Sequence, residues 1–156
     1  MDRISAKILN EMMGVDKELP PRPAPKEERQ AAADHWTRPI LLERAAYLGK
    51  LARYGQGWAS ETIKEYPQHC VMLWFRSRDS DAEVSESAAH ILYVLDGKAT
   101  LATGGTRIGA AGIRGGTSHP LRPGDVVHIA AGQPYQLLVE GENTVTCLVL
   151  KVQENS

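Results

Sequence analysis

Between residues 60 and 152 the chain is cut into short apolar or alternating runs, and this segmentation limits its possible folds more than any other feature. ETIKEY, HCVMLWF, HILYVLDG, ATLATGG, DVVHIAAG, YQLLVEG and TVTCLVLKV follow one another. Turn-forming stretches separate them: SRDSD, DGK, the glycine-rich GGTRIGAAGIRGG, RPGD, AGQP and EGEN. Short strands at regular spacing predict an antiparallel sandwich or barrel. No helix-length pattern lies between them, which argues against a parallel α/β sheet. The runs HILYVL and TCLVLKV are apolar at both parities. A strand with one solvated face alternates, so these two predict a sheet covered on both sides. The barrel interior covers one side. N-terminal helices or a second copy of the chain cover the other, and a homodimer is expected.

The region before residue 59 reads differently. Residues 3 to 13 place Ile4, Ile8, Leu9, Met12 and Met13 at helical spacing, with Gly14 as a C-cap. Residues 17 to 29, KELPPRPAPKEER, read as an extended linker. A short helical turn over residues 26 to 35 is compatible with the pattern. A longer helix is predicted from Thr37, with Pro39 in its first turn and Gly55 and Gly57 at its end. Leu41, Leu42, Ala45, Leu48, Leu51 and Ala52 form its apolar stripe. The predicted organisation is a helical arm and linker over residues 1–58 and a barrel over residues 59–156.

Composition narrows the function classes. A net charge of −1 gives no field to attract nucleic acid or an anionic membrane. No run of about 20 apolar residues offers a membrane span. The first residues, MDRISAKILNEMMG, carry charges where a signal peptide needs an apolar core, so the expected compartment is the cytoplasm. Cys70 and Cys147 both lie in apolar runs and are expected as buried thiols rather than as a disulfide.

Turn and strand spacings resemble the cupin superfamily, in particular the single-barrel "cupin 2" type, over roughly residues 60 to 153. The second cupin motif, G-x5-P-x-G-x2-H-x3-N, lies on the chain without gaps. Gly124 opens it, Ala130 takes the proline position, Gly132 matches, Tyr135 takes the histidine position and Val139 the asparagine. The first motif, G-x5-H-x-H-x(3 or 4)-E-x6-G, is anchored by Gly97. His90 then occupies the glutamate position. The histidine positions fall on Glu83 and Ser85, or on Val84 and Glu86 with the shorter spacing. The resemblance implies an all-β, antiparallel jelly-roll-like barrel enclosing a small-molecule cavity near Glu83, Ser85, His90 and Tyr135. Leu92, Val94 and Leu137 share strand parity with His90 and Tyr135 and are expected in its wall. Ile91, Tyr93 and Gln136 are expected on the opposite faces.

Cupins with the full motif hold a divalent metal on three imidazoles and a carboxylate. In this chain three of those four positions have lost histidine. His90 and Glu83 can offer one nitrogen and one oxygen, Ser85 is a poor ligand, and Tyr135 binds only as a phenolate. Two good ligands fall short of the usual three. The expectation is therefore a degenerate site without a metal cofactor. A divalent iron, manganese, nickel or zinc ion on His90 and Glu83 is the alternative. Two function classes follow from the resemblance. One is a small-molecule-binding protein with a degenerate metal site. The other is an enzyme of isomerase, lyase or dioxygenase type using a metal or a His90/Glu83 acid–base pair.

The remaining candidates are weaker. His128 shares a strand with the second motif, and parity does not decide which way it faces. His119 is expected in a surface loop. The loop of residues 104 to 116 has neither a P-loop nor a dinucleotide pattern and is expected as a hairpin connection, long enough to act as a lid. Tyr47, Tyr54, Trp58, Tyr66 and Trp74 are expected to pack between arm and barrel.

Overall fold

The computed structural model describes residues 32–154. The predicted helix over residues 3 to 13, the linker, and most of the possible helical turn at residues 26 to 35 lie outside that range. Among the described residues, one helix, α1 (Arg38–Tyr54), precedes eleven strands. Its sequence reading holds in detail. Thr37 is the N-cap, its side chain accepting from the Ile40 amide, and Pro39 lies in the first turn, where a missing N–H costs nothing. Gly55 ends it, and the amides of Gly55 and Gly57 both return to the Ala52 carbonyl.

The strands are β1 (Trp58–Glu65), β2 (His69–Arg76), β3 (Glu83–Val84), β4 (Ala88–Gly97), β5 (Ala99–Thr103), β6 (Thr106–Arg107), β7 (Ile113–Arg114), β8 (Thr117–Leu121), β9 (Val126–Ile129), β10 (Pro134–Leu138) and β11 (Val145–Gln153). A five-stranded sheet in the order β1-β2-β11-β4-β9 faces a four-stranded sheet in the order β3-β10-β5-β8, and every pairing is antiparallel. Leu92 and Val94 of β4, Cys147 and Val149 of β11, Leu101 of β5 and Leu137 of β10 point into the space between the sheets and form the barrel core. The opposite face of the larger sheet carries a second core. Leu41, Ala45, Leu48, Leu51 and Ala52 of α1 bury Ala59, Leu73 and Leu95 there, with Phe75 and Leu148 against them. The double coverage expected from TCLVLKV is therefore present, with α1 as the outer cover. Because α1 packs mainly on β1 and β2, it reaches β4 only around Leu95. On the outer face of β4, Ile91 is only half-buried and Tyr93 is exposed.

Two turns show why the spacing was readable. Gly97 closes β4 at φ +79°, a conformation that L side chains rarely adopt. A Cβ there would lie 1.9 Å from the Thr144 carbonyl oxygen. In the turn before β9, Asp125 accepts from the Arg122 amide at 2.9 Å, the side-chain-to-backbone bond expected of aspartate at a turn.

Three expectations need correction. His119 lies in β8, not in a loop. β8 is an edge strand, where Pro120 loses no ladder bond, and the exposed His119 ring meets the Thr103 hydroxyl at 3.1 Å. Residues 104 to 116 form the expected hairpin, through the β6–β7 ladder, but it lies on the outer face of β10 and not over the cavity as a lid. There Gln136 donates to the Ser80 and Ala111 carbonyls at 2.8 and 3.1 Å, and the Ala82 amide donates to the Ala110 carbonyl at 2.6 Å. Finally, SRDSD is more than a turn. Ser80 exchanges backbone and side-chain bonds with Leu137, and Asp79 accepts from the Val139 amide at 2.7 Å. The segment thus runs as a strap along the edge of β10.

Candidate functional site

Strand parity carries a set of polar side chains past the apolar core to one end of the barrel. On β2, Met72, Trp74 and Arg76 continue the inner face. Trp58 and Ser60 of β1 stand opposite Arg76 and Trp74. On β11, Lys151 continues the inward row of Cys147 and Val149. The strap and β3 close the other side with Asp79, Asp81 and Glu83. Together with Tyr135 and Leu137 these residues surround an open cavity of about 510 Å³. That volume suits one small organic molecule.

Tyr135 is the link between the two sheets at this end. It pairs with Glu83 in the β3–β10 register, and its hydroxyl donates to Glu83 Oε2 at 3.1 Å. Its ring meets the His90 ring edge-on at a centroid distance of 5.5 Å, and the Trp74 ring meets His90 at 6.0 Å. Burial, then the adjacent Glu83 charge, push the Tyr135 phenol well above its ordinary value. It is a neutral hydrogen-bond donor at any physiological pH.

His90 is 4% exposed, and its Nδ1 has no hydrogen-bond partner among the described residues. Burial, assisted by the Lys151 charge, pulls its pKa down to about 4. The ring is therefore neutral near pH 7. Lys151 lies 5.9 Å from the centroid of the Trp74 ring. Arg76 lies 5.4 Å from that of Trp58, and its guanidinium donates to the Arg78 and Asp79 carbonyls. Burial lowers the Arg76 pKa, opposed by the surrounding charges of Glu83, Asp81 and Asp79.

The structure brings some of the sequence candidates together. Glu83, Tyr135 and Leu137 line the cavity, Glu83 at its exposed rim. His90 lies behind Trp74 and Tyr135. Leu92 is fully buried in the barrel core below the cavity. Ser85 does not line the cavity; its carbonyl accepts from the Gly132 amide at 2.7 Å and so fixes the turn before β10. His128 stands on the exposed side of edge strand β9. Trp58 and Trp74, expected between arm and barrel, line the cavity instead. Of the other aromatics in that group, Tyr47 of α1 is partly buried against the helix–sheet core and Tyr66 donates to Asp34, while Tyr54 is exposed. Arg76 and Lys151 were not singled out from the sequence. In TVTCLVLKV the signal for Lys151 is a cation at the parity of Cys147 and Val149.

A cupin-type metal does not fit this donor set. Glu83 is engaged by the Tyr135 hydroxyl, and no hydrogen bond joins it to His90. The phenol of Tyr135 is held neutral, and the Lys151 cation acts on His90 from the adjacent strand. Among the described residues, no three His, Cys, Asp or Glu side chains converge on a point. Cys147 is buried, with its thiol pushed up to about 12, and Cys70 is half-buried; both are free.

A two-sheet antiparallel barrel with a polar cavity at one end defines the class of double-stranded β-helix proteins. Solved structures share it. The TT1209 protein from Thermus thermophilus matches with a TM-score of 0.56 and 17% identity, over 73% of this chain and 95% of that one. A conserved protein with a double-stranded β-helix domain from Klebsiella pneumoniae matches with a TM-score of 0.52 and 16% identity, over 65% and 81%. The cupin domain of Cnp3 from Schizosaccharomyces pombe matches with a TM-score of 0.50 and 15% identity, over 62% and 64%. The chain has the cupin fold. No family model and no curated protein matches the sequence.

Proposed function

We propose that the protein is a small-molecule-binding cupin whose ligand is held in the barrel by side chains rather than by a metal ion. The observation that carries this reading is the cavity of about 510 Å³ walled by Trp58, Trp74 and Tyr135 with charged groups of both signs around them. Aromatic walls with a few convergent polar groups are the usual make-up of a ligand pocket. The Tyr135–Glu83 hydrogen bond takes one oxygen of the carboxylate that a metal or a His90/Glu83 acid–base pair would need, and no hydrogen bond joins Glu83 to His90. The enzyme reading therefore has less support in the geometry than the binding reading.

Metal analysis combined with a binding assay tests it. Purified protein offered iron, manganese, nickel or zinc is expected to retain far less than one equivalent. Fluorescence of Trp58 and Trp74 is expected to report ligand binding equally with and without chelator. Near-stoichiometric metal that is lost in His90→Ala would overturn the reading in favour of a metalloenzyme.

A further inference from the structure

Lys151 is an oddity among the inward-facing residues. The row it extends, Cys147 and Val149, is fully buried barrel core, and the next inward position places an ammonium group at the cavity wall. No carboxylate among the described residues pairs with it. The nearby acids are engaged elsewhere. Glu83 accepts from Tyr135, Asp79 accepts from the Val139 amide, and Asp81 acts on Arg76 with Glu83 and Asp79. What Lys151 faces is the Trp74 ring, with His90 beside it across the β4–β11 ladder. His90 is 4% exposed and lies behind Trp74 and Tyr135, so it backs the cavity wall rather than lining the cavity.

We propose that the cavity takes a small organic acid whose carboxylate sits against Lys151 beside Trp74. This rests on the reading of the barrel cavity as a ligand site. A cation in a half-enclosed pocket favours an anion there far more than it would in open water. The charge balance selects a monoanion. Arg76 and Arg78 also line the cavity, but Arg76 is ringed by Glu83, Asp81 and Asp79, whereas Lys151 faces no such carboxylate; those three acids disfavour a second negative charge on the ligand. A carboxylate satisfies this balance and a phosphate dianion does not.

Three matched pairs of probes separate charge from shape: benzoate and benzamide, cyclohexanecarboxylate and cyclohexanecarboxamide, glycolate and glycolamide. Binding is read by ligand-observed NMR on the full chain. At least one acid is expected to bind ten-fold or more tightly than its amide. Lys151→Met, which keeps the aliphatic stem, is expected to abolish that preference. Lys151→Arg is expected to restore it and also controls for folding. Equal binding of acids and amides, or a preference that survives in Lys151→Met, overturns the inference while leaving the cavity as a ligand site. Inorganic phosphate displacing the acids at equal concentration overturns the choice of a monoanion. Failure of all six organic probes to bind overturns both this inference and the binding reading beneath it.

Discussion

His90 shows how one side chain's surroundings set a property of the whole protein. Its free imidazole would titrate near 6.5, whereas in the barrel the value falls to about 4 because the ring is buried and faces Lys151. Between these values the unfolded chain binds a proton that the folded chain refuses. Stability is therefore lost as pH drops from about 6.5 towards 4, by up to about 3 kcal/mol. Urea unfolding at pH 7.5 and 4.5 measures this. His90→Gln is expected to narrow the gap between the two midpoints, and an unchanged gap would show that the ring is not held neutral. A backbone counterpart is Gly97, where a Cβ would strike the Thr144 carbonyl. Gly97→Ala is expected to lower stability by at least about 2 kcal/mol, measured by thermal unfolding. Much of this was legible in the sequence. The motif spacing located Gly97, His90 and Tyr135 and placed Tyr135 near Glu83 and His90. Lys151 and Arg76 were not legible, because a charge within an apolar run acquires meaning only when the register shows which face it takes.

Secondary-structure elements were readable where local chemistry acts alone and unreadable where a partner decides. Thr37, Pro39 and the apolar stripe define α1 without help from the rest of the fold. β8 was hidden because TSHPL has little strand character, and only its place at the sheet edge admits Pro120. The strap was hidden because Ser80 looks like a turn residue until Leu137 lies beside it. Its buried hydroxyl accepts from the Leu137 amide and donates to the Asp81 carbonyl, so Ser80→Ala is expected to cost about 1–3 kcal/mol and to loosen the wall of the cavity. A control that leaves the cavity alone is Leu51→Ala. Leu51 is fully buried between α1 and the larger sheet, and its truncation is expected to cost about 2–5 kcal/mol. Chemical denaturation paired with probe binding separates the two: Leu51→Ala loses stability at unchanged affinity, whereas Ser80→Ala weakens both.

At the scale of the whole molecule, the larger sheet has an outer face that α1 only partly covers. Beyond the helix, Tyr93 is 36% exposed and Val126, its partner across the β4–β9 ladder, is 64% exposed, with half-buried Ile91 beside them. β9 is the edge of that sheet, so its outer backbone groups are also open to pairing. Apolar side chains next to an open strand edge favour contact with another protein surface over water. We propose that a second copy of the chain covers this face, because a two-fold axis beside β9 would set each copy's Tyr93 and Val126 against the same patch of the other. Sedimentation at micromolar concentration is then expected to give twice the chain mass of 17.1 kDa. Val126→Asp would place a carboxylate in the contact and is expected to yield monomers with an unchanged far-ultraviolet dichroism spectrum. A wild-type protein that sediments as a monomer removes the second copy as the occupant of this face. Because the cavity opens between β1, β2 and the strap, at the other side of the sheet from β9, the Val126→Asp monomer is also expected to bind organic acids as the wild type does. A loss of binding on dissociation would instead mean that the partner helps to build the site.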